Sequence, residues 1–297
     1  MKRILVQLDP DAHPSCFDAV VAIDAGVDQL LQYRSVRPED VTGIVHGTMF
    51  TRWVEDLRNT AIFIGGGDVG RGEALLERVR QTFFGPLRVS VMLDANGCNT
   101  TAAAAVLAAE EQLDTARATA LVLGGTGPVG QRVARLLARQ GAAVRLASRA
   151  KSRAEEAAVA INQRLAKSPG EVAPGKVTPW RADDGASLSE ALRGADLVVA
   201  AGAAGVCLLP LEARRQAKSV RVAIDLNAVP PAGIEGIEAA DRGVARDGVA
   251  CYGPIGVGGT KMRIHRAAVA RLFESSDQCL DAEEILALGR KLRTKPG

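Results

Sequence analysis

The first 113 residues alternate short apolar runs with longer amphipathic stretches. The short runs are typical of buried strands, and the amphipathic stretches have helical spacing. An alanine-rich stretch, 99–113, predicts a long helix that leads out of this first region, with Asn99 as its cap. The shorter predicted elements are strand 3–8, helix 15–25, strand 61–64, helix 72–83 and strand 88–93.

The pattern after residue 113 is more regular, because apolar runs alternate with helical ones. Strands joined in this way predict a doubly wound parallel sheet with right-handed crossovers, so the fold class is α/β of Rossmann type. Two later helices, 262–273 and 282–292, are predicted to pack against the first region, and 167–176 is a proline- and glycine-rich loop. The predicted strands are 118–123, 143–147, 177–180, 197–201 and 220–226.

Composition agrees with this class and excludes several functions. Hydrophobic residues make up 47% of the chain and aromatic residues only 3%, which suits aliphatic parallel layers. The net charge of +3 is scattered and forms no basic stripe, so nucleic-acid binding is not expected. No apolar run is long enough for a membrane span, so a membrane segment is not expected either. Five widely spaced cysteines and the lack of a signal peptide indicate the cytoplasm, and the histidine spacing indicates no metal site.

Two glycine-rich stretches, 65–70 and 125–130, have the spacing of a dinucleotide-binding loop. The second stretch follows a strand and runs directly into an amphipathic helix, whereas Gly72 weakens the helix after the first stretch. The second stretch is therefore the predicted cofactor loop. Its residues are Gly125, Thr126, Gly127, Pro128, Val129 and Gly130.

The end of the next predicted strand determines which dinucleotide is preferred. NAD-binding proteins usually carry an acid there, but this chain has Ser148, Arg149 and Arg153. A hydroxyl group and cations suit a 2′-phosphate, so NADP is the expected cofactor, although such a pocket does not forbid NAD. The earlier loop does have a matching acid, Asp94. The nicotinamide half is expected near the ends of later strands, at Ala201, Gly202 and Asn227.

Several motifs together are more specific than any one of them: 61–68 (AIFIGGGD), 83–86 (FFGP), 91–101 (VMLDANGCNTT), 125–130 (GTGPVG) and 272–276 (LFESS). In this combination the whole chain resembles the NAD(P)-dependent methylene-tetrahydromethanopterin dehydrogenases of methylotrophic bacteria, relatives of the methylene-tetrahydrofolate dehydrogenases. The resemblance implies a homo-oligomer, trimeric or a multiple of three. It also implies a cleft in which pterin and nicotinamide meet.

The resemblance implies a substrate domain, 1–113 completed by helices 266–297, and an NADP-binding domain, 114–265. The implied reaction moves hydride from methylene-tetrahydromethanopterin, the co-substrate, to NADP⁺ during formaldehyde oxidation. Lys261 matches the family's lysine after what the sequence indicates is a flexible glycine loop, and it is the expected catalytic residue. Hydrogen bonds to the pterin are expected from Asp18, Asp94, Asn96, Asn99 and Thr100.

Alternatives remain open at this stage. Tetrahydrofolate is a possible second pterin, and no partner base for cyclohydrolase chemistry is evident. A shikimate-type NADP dehydrogenase shares the glycine loop, but it needs a lysine and aspartate pair in the substrate domain, and Lys2 is the only lysine before Lys151. An NADP(H)-binding redox sensor would share the same fold without turnover.

Overall fold

The computed structural model of the protein describes residues 1–167 and 172–294. The strands, in chain order, are β1 (Ile4–Leu8), β2 (Gln29–Tyr33), β3 (Thr60–Ile64), β4 (Ser90–Leu93), β5 (Thr119–Leu123), β6 (Ala143–Ser148), β7 (Val177–Arg181), β8 (Leu197–Ala200), β9 (Val222–Asp225), β10 (Arg242–Arg246), β11 (Val249–Tyr252) and β12 (Cys279–Leu280). The α-helices are α1 (Cys16–Asp24), α2 (Pro38–Met49), α3 (Val69–Thr82), α4 (Cys98–Glu110), α5 (Pro128–Arg139), α6 (Lys151–Lys167), α7 (Gly185–Leu192), α8 (Leu211–Gln216), α9 (Pro254–Arg271) and α10 (Ala282–Thr294).

Local sequence signals start several of these helices. The Ser15 hydroxyl accepts a hydrogen bond from the amide of Asp18 and so caps α1. Asp68 caps α3 and Asp184 caps α7 through their carboxylates, and Pro128 occupies the first turn of α5. The helix after the first glycine loop therefore begins at Val69 and includes the glycines that sequence analysis expected to weaken its start.

The chain divides into two compact units. The first comprises Met1–Thr100 and the chain from Met262 onward, and the second comprises Thr101–Lys261. Sequence analysis placed the divisions after residues 113 and 265, whereas the units divide inside α4 and inside α9. Residues 168–171 of the predicted loop 167–176 lie outside the described residues, as do 295–297 of the predicted C-terminal helices.

The first unit contains a parallel sheet with the order β12-β4-β3-β1-β2. Because β12 pairs with β4, the C-terminal segment packs on the first region as predicted. Sequence analysis missed β2 and α2. β2 is an edge strand with mostly exposed residues, and α2 carries Gly43 and Gly47, so neither has the apolar pattern that marks a buried element.

The second unit contains a seven-stranded sheet with the order β10-β11-β9-β8-β5-β6-β7. The five predicted strands are confirmed as β5 to β9, all parallel to their neighbours. The strand order reverses between β5 and β8, and this topological switch point is where open α/β sheets bind ligands at the carboxyl ends of their strands. The antiparallel pair β10 and β11 was not predicted, and β10 is largely exposed at the sheet edge.

Both sheets have central strands that are buried on both faces. Every residue of β3, β4, β8 and β9 is buried, which produces the continuous apolar runs seen in the sequence. Helices cover these faces and leave the carboxyl ends of the strands for polar loops. Within the described residues, no helix is both long and apolar enough to cross a lipid bilayer.

Candidate active site

The loop between β5 and α5 leads directly into a helix N-terminus without a side-chain cap. Gly127 is the capping residue, and because glycine has no side chain it cannot satisfy the first-turn amides of α5. Pro128, the first helical residue, has no amide N–H to satisfy. The amides of the following residues, Val129 and Gly130, therefore lie at the positive end of the helix dipole, where an anion is favoured.

Glycines in this loop permit contacts that no side chain would allow. A Cβ atom on Gly125 would lie 2.8 Å from Leu146 Cδ1, and one on Gly130 would lie 2.7 Å from the Cα of Gly125. Gly124, with φ of +65°, is packed against Gly202 at the end of β8. At Gly127 the nearest atoms would be 3.6 Å away, which leaves room beside the helix N-terminus. This cradle fits the pyrophosphate of a dinucleotide.

Basic side chains cluster where β6 ends and α6 begins. Ser148 is the last residue of β6, and its hydroxyl accepts a hydrogen bond from the amide of Ala150 at 3.3 Å. Arg149 is exposed, and Arg153 lies in the first turn of α6, which contains no acidic residue. Cations at the positive end of a helix are unfavourable by themselves, so this arrangement is best suited to an added anion such as a 2′-phosphate.

The loops after β8 and β9 lie across the switch point from the loops that follow β5 and β6. The amide of Ala201 donates to the carbonyl of Leu123 at 2.9 Å, which holds the β8 loop against β5. Asn227 makes internal hydrogen bonds, donating from Nδ2 to Pro231 and accepting from the amide of Val229. The predicted residues 201, 202 and 227 therefore lie at carboxyl ends of neighbouring strands, as expected.

Asp225, the last residue of β9, organises the loop that follows. Its carboxylate accepts from the amides of Asn227 and Ile234 at 3.0 and 3.1 Å. Burial raises the pKa of Asp225 above its ordinary value, while these amide hydrogen bonds oppose that shift. Sequence analysis did not select Asp225, because an acid that ends a buried strand gives no local sign of which loop it will hold.

The earlier glycine loop, 65–70, is surrounded by carboxylates. A Cβ atom on Gly65 would lie 3.2 Å from the Asp18 carboxylate, and the amide of Gly67 donates to Asp11 at 2.6 Å. Asp68 already caps α3 by accepting from the amide of Arg71. These negative charges disfavour a phosphate group, and they favour ligands that donate hydrogen bonds. The two glycine loops have similar glycine spacing, but the carboxylates beside loop 65–70 make it a less favourable phosphate site than loop 125–130.

Asp94 caps α4 from the end of β4. Its Oδ1 accepts from the amides of Asn99 and Thr100 at 2.9 and 3.0 Å, and its Oδ2 accepts from the Thr100 hydroxyl at 2.7 Å. The prediction that Asn99 caps this helix is therefore wrong. Its side-chain amide instead donates to the carbonyl of Leu93 and to Asp281, because Asn99 already lies within the first turn.

The predicted substrate-side residues differ strongly in accessibility. Asp94, Asn99 and Thr100 are fully buried and meet in one hydrogen-bonded cluster. Asn96 is exposed in a short turn with φ of +53°, and Asp18 is half-buried beside the first glycine loop. The first unit therefore presents Asp18 and Asn96 at its surface, whereas Asp94, Asn99 and Thr100 are buried in its interior.

His265 was interpreted as an ordinary surface or hydrogen-bonded histidine, yet it is completely buried beside this cluster. Its ring stacks on Phe63 with a centroid distance of 5.7 Å, and a second contact places Phe17 at 6.2 Å. The Nδ1 atom of His265 is 4.0 Å from Oδ2 of Asp94. No local signal could have linked a histidine on α9 to an aspartate at the end of β4.

Lys261 lies inside α9, so the expectation of a flexible glycine loop before it is wrong. Residues 256–260 are helical despite their three glycines, and the helix begins at Pro254. Lys261 is half-buried and precedes His265 by one helical turn, so the two share a face of α9. Among the described residues, no group of three or more His, Cys, Asp or Glu is placed to hold a metal ion.

The doubly wound sheet and its glycine cradle define a Rossmann-type dinucleotide-binding protein. Quinate dehydrogenase from Corynebacterium glutamicum, solved in complex with NAD, has a similar structure with a TM-score of 0.51. The match covers 98% of this chain and 99% of that chain at 15% sequence identity, so the likeness is one of fold.

Sequence comparison identifies the family. Residues 16–96 match the family described as methylene-tetrahydromethanopterin dehydrogenase, N-terminal. The bifunctional protein MdtA of Methylorubrum extorquens is 45% identical over 98% of this chain and 99% of its own length. The NAD(P)-dependent methylenetetrahydromethanopterin dehydrogenase of the same organism is 32% identical over 97% of each chain. The chain belongs to the methylene-tetrahydromethanopterin dehydrogenase family.

Proposed function

We propose that this protein oxidises methylene-tetrahydromethanopterin to its methenyl form with NADP⁺, in the oxidation of formaldehyde-derived one-carbon units. The observation that carries the proposal is the glycine cradle formed by residues 124–130, with an uncapped helix N-terminus and cations at the end of β6. Membership of the dehydrogenase family supplies the substrate class.

The reaction is a hydride transfer that needs no proton relay. A C–H bond of the one-carbon bridge breaks, and its electron pair moves with the hydrogen to the nicotinamide ring of NADP⁺. The product is a methenyl cation, stabilised by the two pterin nitrogen atoms that flank the carbon. The protein therefore contributes mainly by aligning donor and acceptor, which in favourable reactions is worth about 7 to 11 kcal/mol.

The second unit supplies the cofactor-binding residues. The amides at the start of α5 bind the pyrophosphate, and Thr126 lies in the same loop, where its carbonyl accepts from Gln131 at 2.8 Å. Ser148, Arg149 and Arg153 bind the 2′-phosphate, so the site binds NADP more tightly than NAD. Ala201, Gly202 and Asn227 lie on the nicotinamide side of the switch point.

The first unit supplies the pterin-binding residues. The Asp18 carboxylate lies in the first turn of α1 beside the first glycine loop, and Asn96 is exposed just beyond β4. Asp94 is buried and acts indirectly, because its carboxylate positions the start of α4. Carboxylates accept hydrogen bonds from the amino and amide N–H groups of a pterin. They also favour the positive charge that develops on the one-carbon bridge. Lys261, on α9, is the further residue for which we propose contact with the pterin.

We also propose a homo-oligomer of three subunits or a multiple of three, located in the cytoplasm. The oligomeric state follows from the family resemblance, and the location rests on the five cysteines, which are all free thiols. Analytical ultracentrifugation of the purified protein tests the first feature. A mass of one or two subunits would contradict it.

Steady-state NADP⁺ reduction tests the activity. Methylene-tetrahydromethanopterin and methylene-tetrahydrofolate are assayed in parallel, and each is repeated with NAD⁺. We expect turnover with the first pterin and a higher kcat/KM with NADP⁺ than with NAD⁺. Nucleotide binding without turnover of either pterin would instead favour the redox sensor, and turnover of hydroxy acids would favour the shikimate-type dehydrogenase.

A further inference from the structure

Arg181 is the last residue of β7 and lies directly beside Ser148. The two residues are register partners in the parallel pair β6 and β7, and the amide of Ala182 donates to the carbonyl of Ser148 at 3.1 Å. Side chains alternate between the two faces of a sheet, so register partners project from the same face. The Arg181 side chain therefore leaves the sheet on the side of the Ser148 hydroxyl.

Neighbouring residues identify which face this is. Leu146 precedes Ser148 by two positions, so it shares the face, and its side chain is the one that a Cβ atom on Gly125 would meet. The opposite face carries Arg145, whose guanidinium lies over the Trp180 ring at 4.8 Å from its centroid. Arg181 is thus on the face that supports the glycine cradle.

Two aspartates hold the Arg181 guanidinium. It donates a hydrogen bond to Asp183, and Asp184 lies 3.8 Å away while it caps α7. The hydrogen bond from Arg181 lowers the pKa of Asp183 and raises the pKa of Arg181. About half of the Arg181 side chain is exposed to solvent. Exposed ion pairs contribute little to stability, so a stronger anionic partner can displace the carboxylate.

We propose that Arg181 binds the 2′-phosphate of NADP together with Ser148 and exchanges Asp183 for that phosphate. This inference rests on the proposed use of NADP and adds a specificity-determining residue to it. A phosphate offers three acceptor oxygens and accepts a guanidinium in bidentate geometry. NAD has only a hydroxyl group at this position, so with NAD the guanidinium remains on Asp183.

Sheet pairing distinguishes Arg181 from the other nearby cations. Arg149 lies beyond the end of β6, and Arg153 lies in the first turn of α6, so neither is fixed by a strand register. Arg181 is positioned by its pairing with Ser148 on β6 before any ligand binds. A preorganised donor loses less conformational freedom on binding.

Fluorescence titration of the full-length protein with NADPH and NADH tests the inference. We expect Arg181→Gln to raise the Kd for NADPH about tenfold and to change the Kd for NADH less than about twofold. Asp183→Asn removes the competing carboxylate and should lower the Kd for NADPH severalfold. Arg221→Gln is the matched control, because Arg221 is exposed just before β9, at the amino ends of the parallel strands, and it should change neither Kd.

The outcomes separate this inference from the proposed function. Wild-type protein that binds no NADPH would contradict both. Tight NADPH binding that Arg181→Gln leaves unchanged, or an equal loss of NADPH and NADH affinity, would overturn the role of Arg181 alone. A rise in the NADPH Kd after Asp183→Asn would show that Asp183 supports binding, which would also overturn the proposed exchange.

Discussion

A Cβ atom on Gly124 would lie 2.4 Å from the Cα atom of Gly202. Gly124 directly follows β5 and Gly202 lies just after β8, so the two loops touch where the strand order reverses. No side chain fits between them. The two loops at the switch point are therefore in direct backbone contact. This contact fixes the position of the glycine cradle, which follows Gly124 in the chain.

Gly124→Ala should disrupt the cofactor loop. The new methyl group collides with the backbone of Gly202, and alanine at φ of +65° adds strain of about 1 to 2 kcal/mol. We expect weaker NADPH binding together with a lower free energy of unfolding, measured by fluorescence titration and urea denaturation. Gly185→Ala is the matched control, because no atom lies within 4 Å of its Cβ position. Equal behaviour of the two variants would refute the packing argument.

Arg149 and Arg153 should contribute to nucleotide choice. The double variant Arg149→Gln/Arg153→Gln is expected to raise the Kd for NADPH by about tenfold, since two cations near the 2′-phosphate are lost. NADH binding should hardly change. Added salt should weaken NADPH binding more in the wild type than in the variant, because exposed charges are screened. A salt dependence that is identical in both proteins would argue against this role.

Asp94 should be important for stability because it caps α4 from a fully buried position. Asp94→Ala removes acceptors from two amides and a hydroxyl, and it should lower the free energy of unfolding by about 2 to 4 kcal/mol. Asp68→Ala, which removes the exposed cap of α3, should cost only about 1 kcal/mol. Urea denaturation of both variants measures the difference. A loss no larger than that of the control would mean that the buried cap is dispensable.

Lys261 is expected to act on the pterin side. Lys261→Met should lower kcat/KM for methylene-tetrahydromethanopterin by about ten- to a hundredfold, because the proposed contact between its ammonium group and the pterin, which orients the substrate, is lost. The Kd for NADPH should stay the same. Arg263→Gln, an exposed cation on the same helix, is the control and should retain full activity. A Lys261 variant with unchanged kcat/KM would leave this lysine outside the reaction.

Asp241 should make stability depend on pH. Its carboxylate accepts from Arg246 at 2.6 and 2.8 Å, and this hydrogen bonding holds the pKa of Asp241 below its ordinary value. The stabilisation is therefore fully present above about pH 4, the range of an unfolded aspartate, and is lost as pH falls through the lower pKa of the folded protein.

Substitution of Asp241 tests this sign. Asp241→Asn should lower the free energy of unfolding by about 1 to 3 kcal/mol at neutral pH, and the difference from wild type should shrink on acidification. Glu39→Gln, at an exposed pair with Arg37, should change stability by less than about 0.5 kcal/mol at any pH. Chemical denaturation across pH provides the comparison. A difference that grows on acidification would contradict the lowered pKa.

The sequence alone was enough to predict the strands β5 to β9, the second glycine-rich loop and the cations after β6. These features are encoded by contiguous residues, since buried parallel strands need apolar runs and a phosphate loop needs glycines before a helix. It also indicated the family, because several short motifs occur together. The exposed edge strands β2 and β10 escaped prediction, since the apolar pattern is weak where one face of the strand contacts water.

Contacts between residues that are distant in sequence depend on the tertiary structure. Register between β6 and β7 places Arg181 beside Ser148, and packing of α9 places His265 beside Asp94. The same cause distinguishes the two glycine loops, because the carboxylates of Asp9 and Asp18 lie beside Gly65. These residues are far apart along the chain, and no local pattern records their contacts. Sheet order and helix packing bring them together.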